Sequence, residues 1–293
     1  MQPKLLYYEI RKNARSRSKL PHNRQKKIAV INDFCGFGRC SIAASLPVIS
    51  AMKIQCCPIP TSIFSNHTGF DSFFYTDYTE HINAYIDEWV KLGLQFNGIL
   101  TGFLGSPEQI NIVKRFLGLF NDDNNITVID PVMGDYGKLY PTYSPILADQ
   151  MCTLVPYADI LTPNLTEACI LTGTDYKPDM SKEELAEICK KLSDMGPKKI
   201  VISGLDRGDD LENFIYESGK QPQAVREHKV GPFRSGTGDV FSSIIAADAV
   251  NGVDFIDSVY HASSFIAKVL QRTVEMDLPK TDGICFEEFL IEI

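Results

Sequence analysis

The sequence predicts an α/β fold with a mainly parallel sheet and helices on both faces, and three observations carry that reading. Short apolar runs of strand length alternate with longer amphipathic stretches. The amphipathic stretches open on helix caps, and polar residues gather where the apolar runs end. No internal repeat and no Pro/Gly/Ser linker interrupts the 293 residues, so 26–293 reads as one domain behind a basic N-terminal extension, 1–25.

Lys27-Ile28-Ala29-Val30-Ile31, Gly98-Ile99-Leu100-Thr101, Ile126-Thr127-Val128-Ile129-Asp130, Asp159-Ile160-Leu161-Thr162 and Lys199-Ile200-Val201-Ile202-Ser203 are short and apolar, as strands buried on both faces are. Between them, Ser106-Pro107-Glu108-Gln109 supplies a cap, a first-turn proline and a capping-box glutamine ahead of Ile110, Val113, Phe116 and Leu117. Ser181-Lys182-Glu183-Glu184 opens a second helix in the same way, and Gly196-Pro197 ends it. Asp206 to Phe233 carries turn residues and charge that suit either a flap or a hairpin.

In an open parallel sheet, sites form beyond the carboxyl ends of the strands. Asn32-Asp33, Thr101-Gly102, Asp130-Pro131, Thr162-Pro163-Asn164 and Ser203-Gly204 each stand at such an end, so one cleft is expected to collect all five.

Composition excludes several classes. Residues 1–27 hold nine Lys or Arg against Glu9, which leaves about −16 on the remainder of a chain whose net charge is −8. An acidic body is a poor nucleic-acid binder. No stretch approaches the roughly 20 apolar residues of a membrane span, and the N-terminus lacks the apolar block of a secretory signal. Eight cysteines lack Cys-x-x-Cys spacing and most sit in apolar company, which suits buried thiols in a reducing cytoplasm.

The chemistry is carried by Arg234-Ser235-Gly236-Thr237-Gly238-Asp239-Val240-Phe241. Two glycines allow a tight turn whose N–H groups converge at the start of an apolar helix, an arrangement that binds phosphate at Gly236, Thr237 and Gly238. Asp239 would be repelled by that phosphate unless it takes the proton of an attacking alcohol. The four letters alone read equally well as a capped helix after a turn. Asp130 and Glu167 are placed to hold the waters of a magnesium ion, or else to cap strand ends. Phe64-Ser65-Asn66-His67-Thr68-Gly69-Phe70 sets hydroxyl, amide and imidazole groups between aromatics, which suits a flat heteroaromatic ligand. The P-loop motif and the protein-kinase signatures are absent.

Taken in order, Phe64-Ser65-Asn66-His67-Thr68, Leu100-Thr101-Gly102-Phe103, Asp130-Pro131-Val132-Met133-Gly134-Asp135, Thr162-Pro163-Asn164-x-x-Glu167 and Gly236-Thr237-Gly238-Asp239 resemble the pyridoxal kinases of the ribokinase-like superfamily. Val269-Leu270-Gln271-Arg272-Thr273 is similar to that family's C-terminal helix. The resemblance implies a three-layer α/β/α sandwich and ATP-dependent phosphorylation of the 5′-hydroxymethyl group of pyridoxal, pyridoxamine or pyridoxine. It implies that Asp239 is the base, that Gly236, Thr237 and Gly238 stabilise the transferring phosphoryl group, and that Thr162, Asn164, Ser203 and Gly238 meet the nucleotide. Asp130, Asn164 and Glu167 would organise Mg2+ and phosphate through water, while Asn32, Thr68 and Asp239 would bind the substrate with Phe103 packed on its ring. A monovalent cation (K+) and a homodimer are further implications. Asn32 replaces a serine of that family, and the loop from Asp33 to Gly38 is partly similar to hydroxymethylpyrimidine kinases, which are the alternative reading. A non-catalytic vitamer-binding protein is a third, disfavoured by the three carboxylates Asp130, Glu167 and Asp239.

Overall fold

The computed structural model describes residues 21–140 and 143–293. Most of the extension assigned to 1–25 therefore lies outside the described residues. Asn23 is already fastened to the body: its Nδ2 donates to the Gly93 carbonyl at 3.0 Å and its Oδ1 accepts from the Gln95 N–H at 3.1 Å.

Eleven strands are present among the described residues: β1 (Lys27–Cys35), β2 (Gln55–Phe64), β3 (Tyr75–Asp77), β4 (Gly98–Thr101), β5 (Ile126–Ile129), β6 (Gly134–Asp135), β7 (Lys138–Leu139), β8 (Ile160–Leu161), β9 (Lys199–Arg207), β10 (Asp210–Glu217) and β11 (Gln223–His228). Nine form one sheet in the order β11-β10-β9-β8-β5-β4-β1-β2-β3, and β6 pairs with β7 in a separate hairpin. The six central strands are parallel, with antiparallel partners at both edges. The helices are α1 (Ile42–Ala51), α2 (Thr79–Leu92), α3 (Pro107–Phe120), α4 (Pro145–Met151), α5 (Leu165–Thr172), α6 (Lys182–Met195), α7 (Thr237–Asn251) and α8 (Phe255–Glu275).

Strand β1 shows why this becomes three layers. Ala29 and Ile31 point into one apolar cluster, shared with Ile82 and Ile86 of α2 and Phe116 of α3. Ile28 and Val30 point into the other, shared with Val48 of α1, Ile244 of α7 and Val259 of α8. The two-residue period of a strand splits one apolar run between two cores. All five strands expected from the apolar runs are present. β2 is less apparent in sequence because it contains Pro58 and Pro60. β3 covers only Ser62 to Phe64, so over its first half β2 has β1 alone as a neighbour. The two prolines share parity, and their missing N–H groups fall on that open side, where the Tyr85 hydroxyl donates to the Pro58 carbonyl at 3.0 Å.

Caps set the helix starts. Ser181 and Glu184 form the reciprocal capping box expected for α6. At α3, Ser106 accepts from the Gln109 N–H as expected, but Gln109 does not return the bond to Ser106. Its Oε1 accepts from Gly105 N–H at 2.7 Å and its Nε2 donates to the Thr61 carbonyl at 2.9 Å, so the side chain ties α3 to β2 instead.

The segment from Asp206 to Phe233 resolves into the β10–β11 hairpin, which extends the sheet antiparallel to β9. Glu212 is fully buried there, accepting from Arg207 Nε at 3.2 Å and Arg226 Nε at 2.7 Å. Burial pushes its carboxyl up, but the two guanidinium hydrogen bonds outweigh that and hold it below the usual range. Glu212→Ala leaves two cations facing an apolar edge, although half-exposed Arg226 can turn to water. We expect a loss of about 3 kcal/mol in urea unfolding, with the native far-UV circular dichroism retained below the transition. Among the described residues, no helix is long and apolar enough to cross a membrane.

Candidate active site

The parallel strand ends lie side by side and are stitched by backbone hydrogen bonds. Gly102 N–H donates to the Ile31 carbonyl at 2.8 Å, Asp130 N–H to Thr101 at 3.1 Å, Thr162 N–H to Ile129 at 3.1 Å and Ser203 N–H to Pro163 at 2.9 Å. This edge therefore brings Asn32, Gly102, Asp130, Thr162, Asn164 and Ser203 into one row, as the sequence leads one to expect. The Thr162 hydroxyl is buried and has no hydrogen-bond partner among the described residues.

The Gly-Thr-Gly-Asp run is the start of α7. Gly236 is its N-cap in the left-handed conformation (φ 84°), and the helix opens at Thr237. The first-turn N–H groups of Thr237 and Gly238 have no helical acceptor, because four residues must pass before one exists. The Thr237 hydroxyl donates to the Arg234 carbonyl at 3.2 Å, which fixes the turn. A Cβ on Gly238 would meet nothing within 4 Å, so this side of the turn faces open space.

Asp239 lies in that first turn, partly exposed toward the cleft. Its Oδ1 accepts from Asn32 Nδ2 at 3.0 Å, joining residues 207 positions apart. Burial pushes its carboxyl up, while the Ser41 backbone N–H and the Asn32 amide oppose the rise. Asp33, buried next to it, is pushed up to about 7 by burial and by the charge of Asp239, against a hydrogen bond from the Ser41 hydroxyl. Ser41 thus lowers both carboxyls against burial, from a left-handed backbone (φ 57°) that few non-glycine residues adopt. Sequence placed Asp33 with Asn32 at the cleft but gave it no role, and it did not single out Ser41. Asp33 is next to Asn32 at a strand end, which is a usable signal, whereas nothing in the sequence marks Ser41.

Asp130 and Glu167 are both buried, and burial followed by mutual repulsion holds Asp130 well above the usual carboxylate range. Burial likewise pushes Glu167 up to about 8. Both Glu167 oxygens already accept backbone N–H groups: Met133 at 3.0 Å and Asn164 at 2.9 Å. With Asn164 Nδ2 donating to the Gly134 carbonyl at 2.8 Å, and Gly137 N–H to the Thr166 hydroxyl at 2.8 Å, the first turn of α5 anchors the β6–β7 hairpin. That hairpin presents exposed Tyr136 edge-on to exposed Phe233, just before the α7 turn, with ring centroids 6.3 Å apart. Sequence reading missed this rim.

Phe103 follows Gly102 in the row, is half-buried and meets Tyr143 edge-on, while Thr68 is exposed on the segment after β2 and no contact joins it to the row among the described residues. His67 is committed elsewhere. Its Nδ1 accepts from Gly69 N–H at 3.1 Å, so Nε2 carries the proton and donates to the Thr281 carbonyl at 2.7 Å. Asn66 is held by the Ser65 hydroxyl and the Ser72 carbonyl.

The sequence profile of the phosphomethylpyrimidine kinase family matches residues 37–282. A pyridoxal kinase of Arabidopsis thaliana is 31% identical over 228 residues, covering 74% of this chain and 72% of its own. A Bacteroides thetaiotaomicron protein, assigned to the phosphomethylpyrimidine kinases and crystallised with pyridoxal, is 35% identical. It superposes with a TM-score of 0.88 over 92% of this chain and 96% of its own. The Staphylococcus aureus pyridoxal kinase in complex with AMP-PCP and pyridoxal shares the fold at 22% identity, with a TM-score of 0.73 over 84% and 88% of the two chains.

Proposed function

The chain belongs to the phosphomethylpyrimidine kinase family, and from that premise we propose that it transfers the γ-phosphoryl group of ATP to the 5′-hydroxymethyl group of a B6 vitamer. The observation that carries the reading is Asp239. It is a carboxylate in the first turn of a helix whose unpartnered N–H groups attract phosphate, held by an amide from the opposite strand end. A purely structural helix cap has no need of that second support.

Asp239 takes the alcohol proton as the oxygen attacks, and ADP leaves with the electrons of the broken P–O bond. The Thr237 and Gly238 N–H groups, with the turn at Gly236, face the charge that spreads over the transferring oxygens. Thr162, Asn164, Ser203 and Gly238 would meet the nucleotide, and the buried Thr162 hydroxyl, without a partner among the described residues, is left over for it. Thr68 and Phe103 face the vitamer ring, and Asn32 stands next to it.

Magnesium fits the residues present. Asp130 and Glu167 are buried carboxylates without an ion-paired cation among the described residues, and a hard divalent ion relieves their repulsion. Because both Glu167 oxygens accept N–H groups, it would hold the ion through water. The ion would supply charge neutralisation between the phosphates.

The same reading carries a single kinase domain from residue 26 to 293, a homodimer, dependence on a monovalent cation, and residence in the cytoplasm, for which eight free thiols are suited.

Turnover of pyridoxal, pyridoxamine, pyridoxine and hydroxymethylpyrimidine, assayed side by side with ATP and Mg2+, tests the assignment. We expect at least one B6 vitamer to give the highest kcat/KM. Preference for the pyrimidine would transfer the protein to the alternative reading, and no turnover on any alcohol would return it to a binding role.

A further inference from the structure

We infer that Asn32 is a positioning residue for Asp239 and not a reader of the substrate ring; the inference rests on the kinase reading above. Its side-chain oxygen accepts two backbone N–H groups, from Phe103 at 2.8 Å and Asp33 at 2.9 Å. Those two donors settle which way the amide faces, since reversing it would set N–H against N–H. The nitrogen is thereby aimed at Asp239 Oδ1, 3.0 Å away.

Three further features fit this assignment. Asn32 is 4% exposed, so the one N–H left over has little opening toward a ligand. Gly102 lies directly against the amide: a Cβ there would come within 2.5 Å of it, so the backbone of the β4 end clears exactly the room that a four-atom side chain needs. The Phe103 N–H belongs to the residue whose ring faces the substrate, so a single amide sets both the wall of the cleft and the base at its floor. A serine hydroxyl, one atom shorter, does not span from that N–H to the carboxylate. The resemblance places Asn32 among ring-contacting residues; its hydrogen bonds point to the base instead.

Asn32→Asp replaces the decisive donor by an acid of the same shape. It keeps an oxygen for Phe103 and Asp33, but whether ionised against Asp239 or sharing a proton with it, it removes the neutral N–H that holds the base ionised. We expect kcat to fall by about 10- to 100-fold, the value of one hydrogen bond to a charged group. The equilibrium Kd for pyridoxal, measured without nucleotide, should stay within about twofold of wild type. Gly102→Ala pushes the amide aside while leaving Asn32 in place, and it should show the same split, with far-UV circular dichroism reporting that both variants are folded. Unchanged kcat in Asn32→Asp overturns the inference. So does a rise in Kd matching or exceeding the loss in kcat, because that result puts the amide on the ring. If wild type phosphorylates hydroxymethylpyrimidine alone, the vitamer reading fails, and the same comparison made on that alcohol still decides the role of Asn32.

Discussion

Asp239→Asn is expected to lower kcat by about 10²- to 10⁴-fold while leaving vitamer binding nearly intact. The substitution is isosteric and the position is partly open to the cleft, so no cavity forms and no core contact is lost. What disappears is the proton acceptor. The carboxylate now receives an N–H from Asn32 and another from Ser41. An amide oxygen can still accept the Asn32 N–H, so the side chain stays in place, but a neutral amide cannot take up the alcohol proton. Steady-state rates with saturating ATP and pyridoxal, together with a separate Kd for pyridoxal, distinguish lost chemistry from lost binding. A variant that retained wild-type turnover would remove Asp239 from the reaction.

The pH dependence follows the same carboxylate. Burial raises the Asp239 carboxyl above the ordinary value for aspartate, so the base is lost as pH falls through that raised value. Asp33, pushed up to about 7, adds negative charge beside Asp239 as pH rises through neutrality and further increases its basicity. In the wild-type profile kcat therefore falls on the acid side, and in Asp239→Asn the residual rate should lose that limb.

Much of this site could be read from sequence, for a local reason. Polar residues that close an apolar run mark the row: Asp130 and Thr162 directly follow the ends of β5 and β8, whereas β1 and β9 run on past Asn32 and Ser203 to Cys35 and Arg207, because their later residues pair with β2 and β10. The glycines around Thr237 likewise mark a turn by their own backbone freedom. What escaped depends on distant pairing. Nothing near Ser41 shows that its N–H reaches Asp239, and nothing near His67 shows that its imidazole will bond the Thr281 carbonyl, 214 positions away. β2 escaped because proline argues against a strand until its open side is known. Glu167 shows a different limit: its residue type suits both a metal-water ligand and a capping-box acid, and the structure gives it the second role without excluding the first.

Gly236→Ala is expected to lower kcat by about 10²- to 10³-fold, the scale of a lost backbone donor at a transition-state anion site. The site has two separate objections to a side chain. Its φ of 84° lies where L-residues are strained, and a Cβ would fall 2.0 Å from the Arg39 carbonyl oxygen. Arg39 cannot simply retreat, because its guanidinium donates to the Asp282 carbonyl at 3.0 Å and pairs with Glu287 at 2.6 Å. Nor can the turn swing outward, because buried Arg234 is fastened to the Pro279 and Leu278 carbonyls, each at 2.8 Å. The C-terminal segment thus grips both loops, and relief of the clash must displace either the Thr237 and Gly238 donors or the Ser41 N–H that supports Asp239. Gly238→Ala is the control, since a Cβ there meets nothing within 4 Å. That variant should melt near wild type and lose activity only through a raised KM for ATP, whereas Gly236→Ala should lower both kcat and the melting temperature. Equal melting temperatures with unchanged kcat in Gly236→Ala would show that the two loops are not rigidly joined.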